Sequence, residues 1–323
     1  MCVVYLLSAN TKLKCAGNRL EIEKEGKKFR SLLMDEVECV VQGKLAQITT
    51  PALYELLERN ISIFYVDGRG RQIGHLCGDN SWQRSQFQYE CFANEDMQLD
   101  FAKQIVKQKM ESQCKLLRSY AKSSKKIELS HIADIIKKYK QKLTSVKKID
   151  ELRGWEGIAS RSYFDAYPLL ICAELWQWKG RNRRPPQDPV NALLSYGYAF
   201  LEREVRLAII GARLDARIGF LHTNNGRKDS LVFDLMEPFR QSVIDRLVLK
   251  TINLGQFKID EFSYDEELGC RLSEKTRRNF IVVYENYMEK GSQSYGGLSP
   301  RQWIEFQVKQ FAQELFRIGK VAV

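Results

Sequence analysis

Several features are missing from this 323-residue sequence, and each absence removes a class of protein. The eight cysteines (Cys2, Cys15, Cys39, Cys77, Cys91, Cys114, Cys172 and Cys270) stand singly with no CxxC spacing, so they read as reduced core residues and not as a zinc or dithiol motif. No run approaches the roughly 18 to 20 apolar residues of a membrane span. The opening MCVVYLLSANTK has an apolar stretch but no basic n-region and no small-residue cleavage site, which makes cytoplasm the expected compartment. A Gly/Ser tract, a long polar run and an internal repeat are all lacking, so a disordered or linker-rich chain is excluded. Histidine is scarce, at three residues, and each one is therefore conspicuous.

What remains is 44% hydrophobic and 28% charged, long enough for a substantial core and for two domains. The formal net charge of +11 is unevenly placed: residues 101–150 hold 14 Lys/Arg against four Asp/Glu, a net of +10, which leaves the rest of the chain close to neutral. A second basic cluster, Lys179, Arg181, Arg183 and Arg184, lies in a short loop. Concentrated positive charge attracts polyanions by counterion release, and nucleic acid is the first partner to weigh. Lys-rich helices are also often simply solvated faces.

The pattern changes near residue 80. Before it, KLKCAGNRLEIEKEGKKFRSLLMDEVECVVQG alternates in short runs punctuated by Gly17-Asn18 and Gly26, and ISIFYVD followed by QIGHLCG reads as a hairpin. One helix interrupts the strands, with Thr50-Pro51 opening ALYELLERN. After the turn-rich Gly78-Asp79-Asn80-Ser81 the period becomes about 3.6, first in FAKQIVKQKMESQCKLLRSYAK and again in LSHIADIIKKYKQKL. Asp188-Pro189 and Ser299-Pro300 are N-cap and first-turn pairs, and Ser230 can cap LVFDLMEPFRQSVIDRLVLKTI. The expected fold is α+β: a small N-terminal β-strand domain over 1–80, then a larger all-α-helical domain over 81–323.

His222 is followed by a polar loop and then by a helix carrying Asp234 and Glu237. Residues three apart on a helix share a face, so both acids can turn toward the histidine. A lone histidine beside a helix N-terminus is usually structural, and His75 and His131 have weaker surroundings still. Two carboxylates and an imidazole with open positions would suit a hard divalent cation, Mg²⁺ or Mn²⁺, and phosphoryl transfer. That local cluster lacks a ligand from elsewhere in the chain. Tyr163, Phe164, Tyr196 and Tyr198 are mostly core by base rate, although aromatic rings also stack on unpaired bases.

Three blocks, LRGWEGIASRSYFDAY, RRPPQDPVNALLSYGYAFL and FLHTNNGRKDSLVFDLMEPFR, resemble in order and spacing the signature blocks of the CRISPR-associated adaptation integrases, the "Cas one" family. The resemblance covers essentially the whole chain and implies a small β domain, which can form the dimer, joined to a helical catalytic and DNA-binding domain. It implies that Glu156, His222 and Glu237 are the catalytic metal ligands for Mg²⁺ or Mn²⁺, with Asp234 able to share or replace the role of Glu237. Many members carry aspartate at that third position, so the extra methylene of Glu237 can alter the geometry. Arg181, Arg183 and Arg184 resemble the family's basic segment, where arginine forks suit phosphates. Arg277 and Arg278 are weaker candidates for the same task, and Arg240 suits a local salt bridge. The implied activity is insertion of short foreign DNA fragments into a CRISPR array by 3′-hydroxyl transesterification, with endonuclease activity alongside. The implied partners are double-stranded DNA (the fragment and the repeat), a second copy of the chain and the small "Cas two" protein. A general branched-DNA repair nuclease and a non-catalytic DNA-binding scaffold stay open as alternatives.

Overall fold

Short alternating segments early in the chain become strands because one face of each can be buried and the other solvated. The structure, a computed structural model, describes residues 2–59, 61–67, 72–76, 82–172, 176–178, 180–182, 184–222 and 229–319. It divides into two compact units, Met1–Ser81 and Trp82–Val323.

The first unit contains β1 (Cys2–Leu6), β2 (Thr11–Ala16), β3 (Arg19–Lys24), β4 (Lys27–Leu33), β5 (Val37–Gly43), β6 (Gln47–Ile48), α1 (Thr50–Glu58), β7 (Ser62–Val66) and β8 (Gln72–Leu76). They form two four-stranded sheets, ordered β1-β5-β7-β8 and β4-β3-β2-β6. In the first sheet β1, β5 and β7 are parallel and β8 returns antiparallel to β7, the hairpin expected from the sequence. In the second only the β2–β6 pair is parallel. Leu6, Leu13, Leu20, Met34, Val40 and Ile63 meet in one core. β5 buries three consecutive residues, Cys39, Val40 and Val41, because it sits between two parallel neighbours where both faces are covered.

The second unit is helical: α2 (Trp82–Ala93), α3 (Glu95–Ser124), α4 (Ile127–Lys142), α5 (Ile149–Asp165), α6 (Tyr167–Leu170), α7 (Pro189–Gly211), α8 (Ser230–Phe239), α9 (Arg246–Asn253), α10 (Glu274–Glu289) and α11 (Pro300–Gly319). A short antiparallel hairpin, β9 (Phe262–Asp265) with β10 (Gly269–Leu272), is set among them. α3 runs for 30 residues from an Asn94 cap that accepts the Met97 N–H, and buries Leu99, Ala102, Val106, Met110 and Leu117 along one stripe. α7 is buried on nearly every side, the pattern of a central helix. Its N-terminus is capped as expected: Asp188 accepts the Asn191 N–H at 2.8 Å. Ser299 likewise accepts the Gln302 N–H while Gln302 reaches back to the Ser299 N–H, a reciprocal cap.

The stretch from Ser230 to Asn253 is not one regular helix. Asp229 occupies the capping position and Ser230 is the first helical residue. Pro238 lies inside α8, where it cannot donate a backbone hydrogen bond, and a π-helical turn over Arg240–Asp245 separates α8 from α9. The wider turn changes which side chains share a face after Glu237. Among the described residues no helix is long and apolar enough to cross a membrane.

Candidate active site

Three helices of the second unit bring the acidic candidates together. Glu156 lies in the middle of α5 and not at a helix end; Glu237 is on α8 and is buried. Both reach the ammonium of Lys109, a buried residue of α3: Glu156 Oε1 accepts its hydrogen bond, and Glu237 Oε2 is 2.5 Å from Nζ. Ser160, one turn along α5, donates to Glu156 Oε1 at 2.8 Å. Arg240, at the start of the π turn, donates from Nε to Glu237 Oε1 at 3.0 Å, the local salt bridge its spacing suggested. Burial alone would push the Glu237 carboxyl up, but Arg240 and Lys109 outweigh it and hold the group well below the usual carboxylate range.

His222 is held by Asp234. Asp234 Oδ2 accepts the Phe220 and Leu221 N–H groups at 2.5 and 2.9 Å, while Oδ1 accepts the His222 N–H at 2.9 Å and faces His222 Nδ1 at 2.6 Å. A carboxylate offers about four acceptor positions, and all four are used here. The bond to Asp234 raises the imidazole pKa above its ordinary value; burial opposes this, the charges of Asp234 and Glu237 add to it, and Lys109 subtracts. Nδ1–H therefore points at Asp234, and Nε2 is the ring nitrogen available to a ligand. Gly219 permits the approach, since a Cβ there would fall 2.7 Å from the Ser230 carbonyl carbon and 2.8 Å from Asp234 Oδ2. The acids three apart on α8 thus divide their work, one on the histidine and one on the Lys109 cluster.

The donor chemistry, two carboxylates and an imidazole, fits a hard divalent cation. Glu237 Oε2 is buried and receives no aligned hydrogen bond despite its closeness to Lys109, so it retains acceptor capacity. Among the described residues no three His, Cys, Asp or Glu side chains are close enough to hold a metal as they stand, since the Lys109 ammonium lies between the two glutamates.

The arginines expected to meet phosphate behave differently from one another. Arg181 is turned toward the start of α7, donating to Asn191 Oδ1 at 2.6 Å and to Ser195 Oγ at 3.5 Å, with its guanidinium over the Tyr198 ring. Arg184 is exposed, Arg183 lies outside the described residues, Arg277 is half-buried, and Arg278 is exposed and paired with Glu274. Tyr163, Tyr196 and Tyr198 are core residues, as their base rate suggested. Lys109 and Arg153 were not singled out from sequence. Lys109 is one of many lysines in a basic stretch, and only its place on the buried stripe of α3 distinguishes it.

The fold now defines a class. A Cas1 protein from Thermotoga maritima superimposes with a TM-score of 0.84, covering 97% of both chains at 26% identity. A Cas6-RT-Cas1–Cas2 complex contains a chain that matches 98% of this one, with a TM-score of 0.82 and 26% identity over 35% of its own length. The class is thus that of CRISPR-associated two-unit proteins with a β-rich first unit and a helical second. The model of the family described as CRISPR associated protein Cas1 matches residues 4–286, and the chain belongs to that family. Among curated relatives, a Cas4 exonuclease/Cas1 endonuclease fusion of Rhodospirillum rubrum is 33% identical over 91% of this chain and 52% of its own. The chain spans between about half and three-fifths of the length of the first such fusions that it matches. A CRISPR-associated endonuclease Cas1 of Thermus thermophilus is 30% identical over 98% of this chain and 97% of its own.

Proposed function

We propose that this chain is a metal-dependent DNA integrase and endonuclease that inserts short foreign DNA fragments into a CRISPR array. The observation that carries the reading is the meeting of Glu156 and Glu237 on one cation, beside a histidine whose ring is fixed by Asp234, in a chain of the Cas1 family. Glu156, Glu237 and His222 Nε2 would hold Mg²⁺ or Mn²⁺, and Asp234 would orient the histidine without being a ligand, the familiar division between a ligand and the acid behind it. When bound, such an ion polarises a phosphodiester and stabilises a leaving alkoxide.

In the proposed reaction the 3′-hydroxyl oxygen of a DNA end attacks a phosphodiester phosphorus at the edge of a repeat. A new P–O bond forms, the bond to the outgoing 3′ oxygen breaks, and the proton lost by the attacking hydroxyl is balanced by one gained by the leaving oxygen. No covalent protein intermediate is needed, and water in place of the hydroxyl gives cleavage. Arg240 and Lys109 keep Glu237 ionised, so its carboxylate remains a ligand across the physiological range, while Lys109 and Ser160 hold the Glu156 carboxylate in place beside it.

Exposed Lys137, Lys138, Lys142, Lys147, Lys148 and Arg184 supply a surface for phosphate backbones. Exposed Phe29, Leu45, Tyr54 and Ile73 on the β-rich unit support its use as a dimer surface. The likeness to a chain of a Cas1–Cas2 complex supports a Cas2 partner.

The test is transfer of a labelled 3′-hydroxyl end into a repeat-containing plasmid with Mn²⁺ or Mg²⁺, with and without the small partner. Metal-dependent joining by the wild type should fall at least 100-fold in His222→Ala and Glu156→Ala, on the order of the loss when a group acting in the reaction is removed. DNA affinity should stay within about twofold, because the basic surface is untouched. Binding without joining or cleavage under every condition would leave a DNA-binding scaffold.

A further inference from the structure

The segment that delivers His222 has no helix or strand of its own, although much of it is buried. Buried irregular backbone needs partners for its N–H and C=O groups, and here they come from four separate helices. Gln88 of α2, fully buried, donates to the carbonyls of Asp215 and Ile218 at 2.8 and 2.7 Å and accepts the Asp215 N–H at 2.8 Å. Gln98 of α3 donates to the Phe220 carbonyl at 3.2 Å. Asp234 of α8 takes the three consecutive N–H groups of Phe220, Leu221 and His222. Arg153 of α5 places two guanidinium donors, Nε at 3.1 Å and Nη2 at 2.6 Å, on the carbonyl of Leu221, while its Nη1 pairs with Asp150 at 3.0 Å.

Arg153 differs from the other three in where it stands. It is three residues, about one turn, before Glu156 on the same helix. The carbonyl it grips belongs to the residue immediately before His222. One rigid helix therefore carries a candidate ligand and, from the same face, fixes the backbone that presents another. We infer that Arg153 is a positioning residue: its two-pronged hold on the Leu221 carbonyl sets the separation between Glu156 and His222, and so the affinity of the site for a divalent cation. A guanidinium suits this task because its planar fork presents two parallel donors to one oxygen, which an ammonium cannot reproduce.

This inference rests on the metal site proposed above, and the two are separable by experiment. Mn²⁺ binding to the full chain, followed by the electron paramagnetic resonance signal of free Mn²⁺, tests the site through Glu156→Gln and the inference through Arg153→Met and Arg153→Lys. Arg153→Met should weaken Mn²⁺ binding about 10-fold or more, as for other groups that orient ligands. Arg153→Lys, with one donor restored, should fall between, and metal-free DNA affinity should be unchanged in both. With three histidines in the chain, the ring ¹⁵N signals of His222 can be followed without metal. They should show one ordered Nδ1-protonated ring in the wild type and a broadened, averaged one in Arg153→Met. Wild-type Mn²⁺ affinity together with an unchanged ring spectrum, or weakened DNA binding with normal Mn²⁺ affinity, overturns the positioning role in favour of an arginine that is structural or contacts phosphate. If the wild type itself takes up no Mn²⁺ that depends on Glu156, the site proposal fails and the ring spectrum still decides the role of Arg153. Should Arg153→Met not fold, Arg153→Lys carries the same comparison.

Discussion

Two buried aspartates of this chain show how differently one residue type behaves in two surroundings. Asp234 accepts from three backbone N–H groups and faces an imidazole, whereas Asp245 accepts from the hydroxyls of Tyr198 at 2.5 Å and Tyr163 at 2.8 Å. Burial dominates at Asp245 and pushes its carboxyl up to about 6, against the tyrosine hydrogen bonds and the charges of Arg181 and Arg240. Between about pH 4 and 6 the folded protein then holds a proton that the unfolded chain has released. Stability from this group is full below pH 4 and lost as pH rises through 6, by an amount on the order of 3 kcal/mol. Urea unfolding of wild type and Asp245→Asn across pH 4 to 7 reads this directly: the wild type should lose stability relative to the variant as pH rises, and parallel curves would refute it. Individual residues were legible in the sequence where partners lie close along the chain, as for Asp234, Glu237 and Arg240. The contacts of Lys109 with Glu156, 47 residues apart, and of Arg153 with Leu221, 68 apart, depend on how α3, α5 and the His222 segment pack, and no local pattern encodes that.

At the level of elements, period and caps carried most of the information. The β7–β8 hairpin, the long α3 and the Asp188 and Ser299 caps all follow from spacing and end residues. The β9–β10 hairpin did not, being four residues per strand between helices. Nor did the π turn after Pro238, because the sequence continues with a helical apolar pattern and only backbone geometry reveals the extra residue. The turn also explains a close packing of helices. Gly197 in α7 lies against it, so that a Cβ at 197 would fall 2.7 Å from Ile244 Cγ2 and 3.3 Å from Phe280 Cζ. Ile244 is β-branched and stiff, and Phe280 is locked among Tyr196, Phe200 and Tyr284. Gly197→Ala should therefore lower stability by about 1–3 kcal/mol through overpacking, despite alanine's better helix propensity. A thermal midpoint equal to or above that of the wild type would show that the turn yields.

Across the whole molecule, charge and chemistry are separated. The excess of positive charge over residues 101–150 belongs to α3, α4 and the approach to α5, where Lys137, Lys138, Lys142, Lys147 and Lys148 are exposed, while Lys109 of the same stretch is buried among glutamates. One basic region thus supplies both a surface that can attract a polyanion and an internal cation that steadies the acids. The β-rich unit has its own core, and the three candidate ligands all belong to the helical unit. Glu156, His222 and Glu237 are proposed to hold one divalent ion. Crystals soaked in Mn²⁺ and measured at its absorption edge test that most directly. An anomalous peak is expected, bounded by the carboxylates of Glu156 and Glu237 and by Nε2 of His222, and lost in Glu156→Gln; a map with no peak among these three side chains at saturating Mn²⁺, or with the ion held elsewhere, would contradict the proposed site.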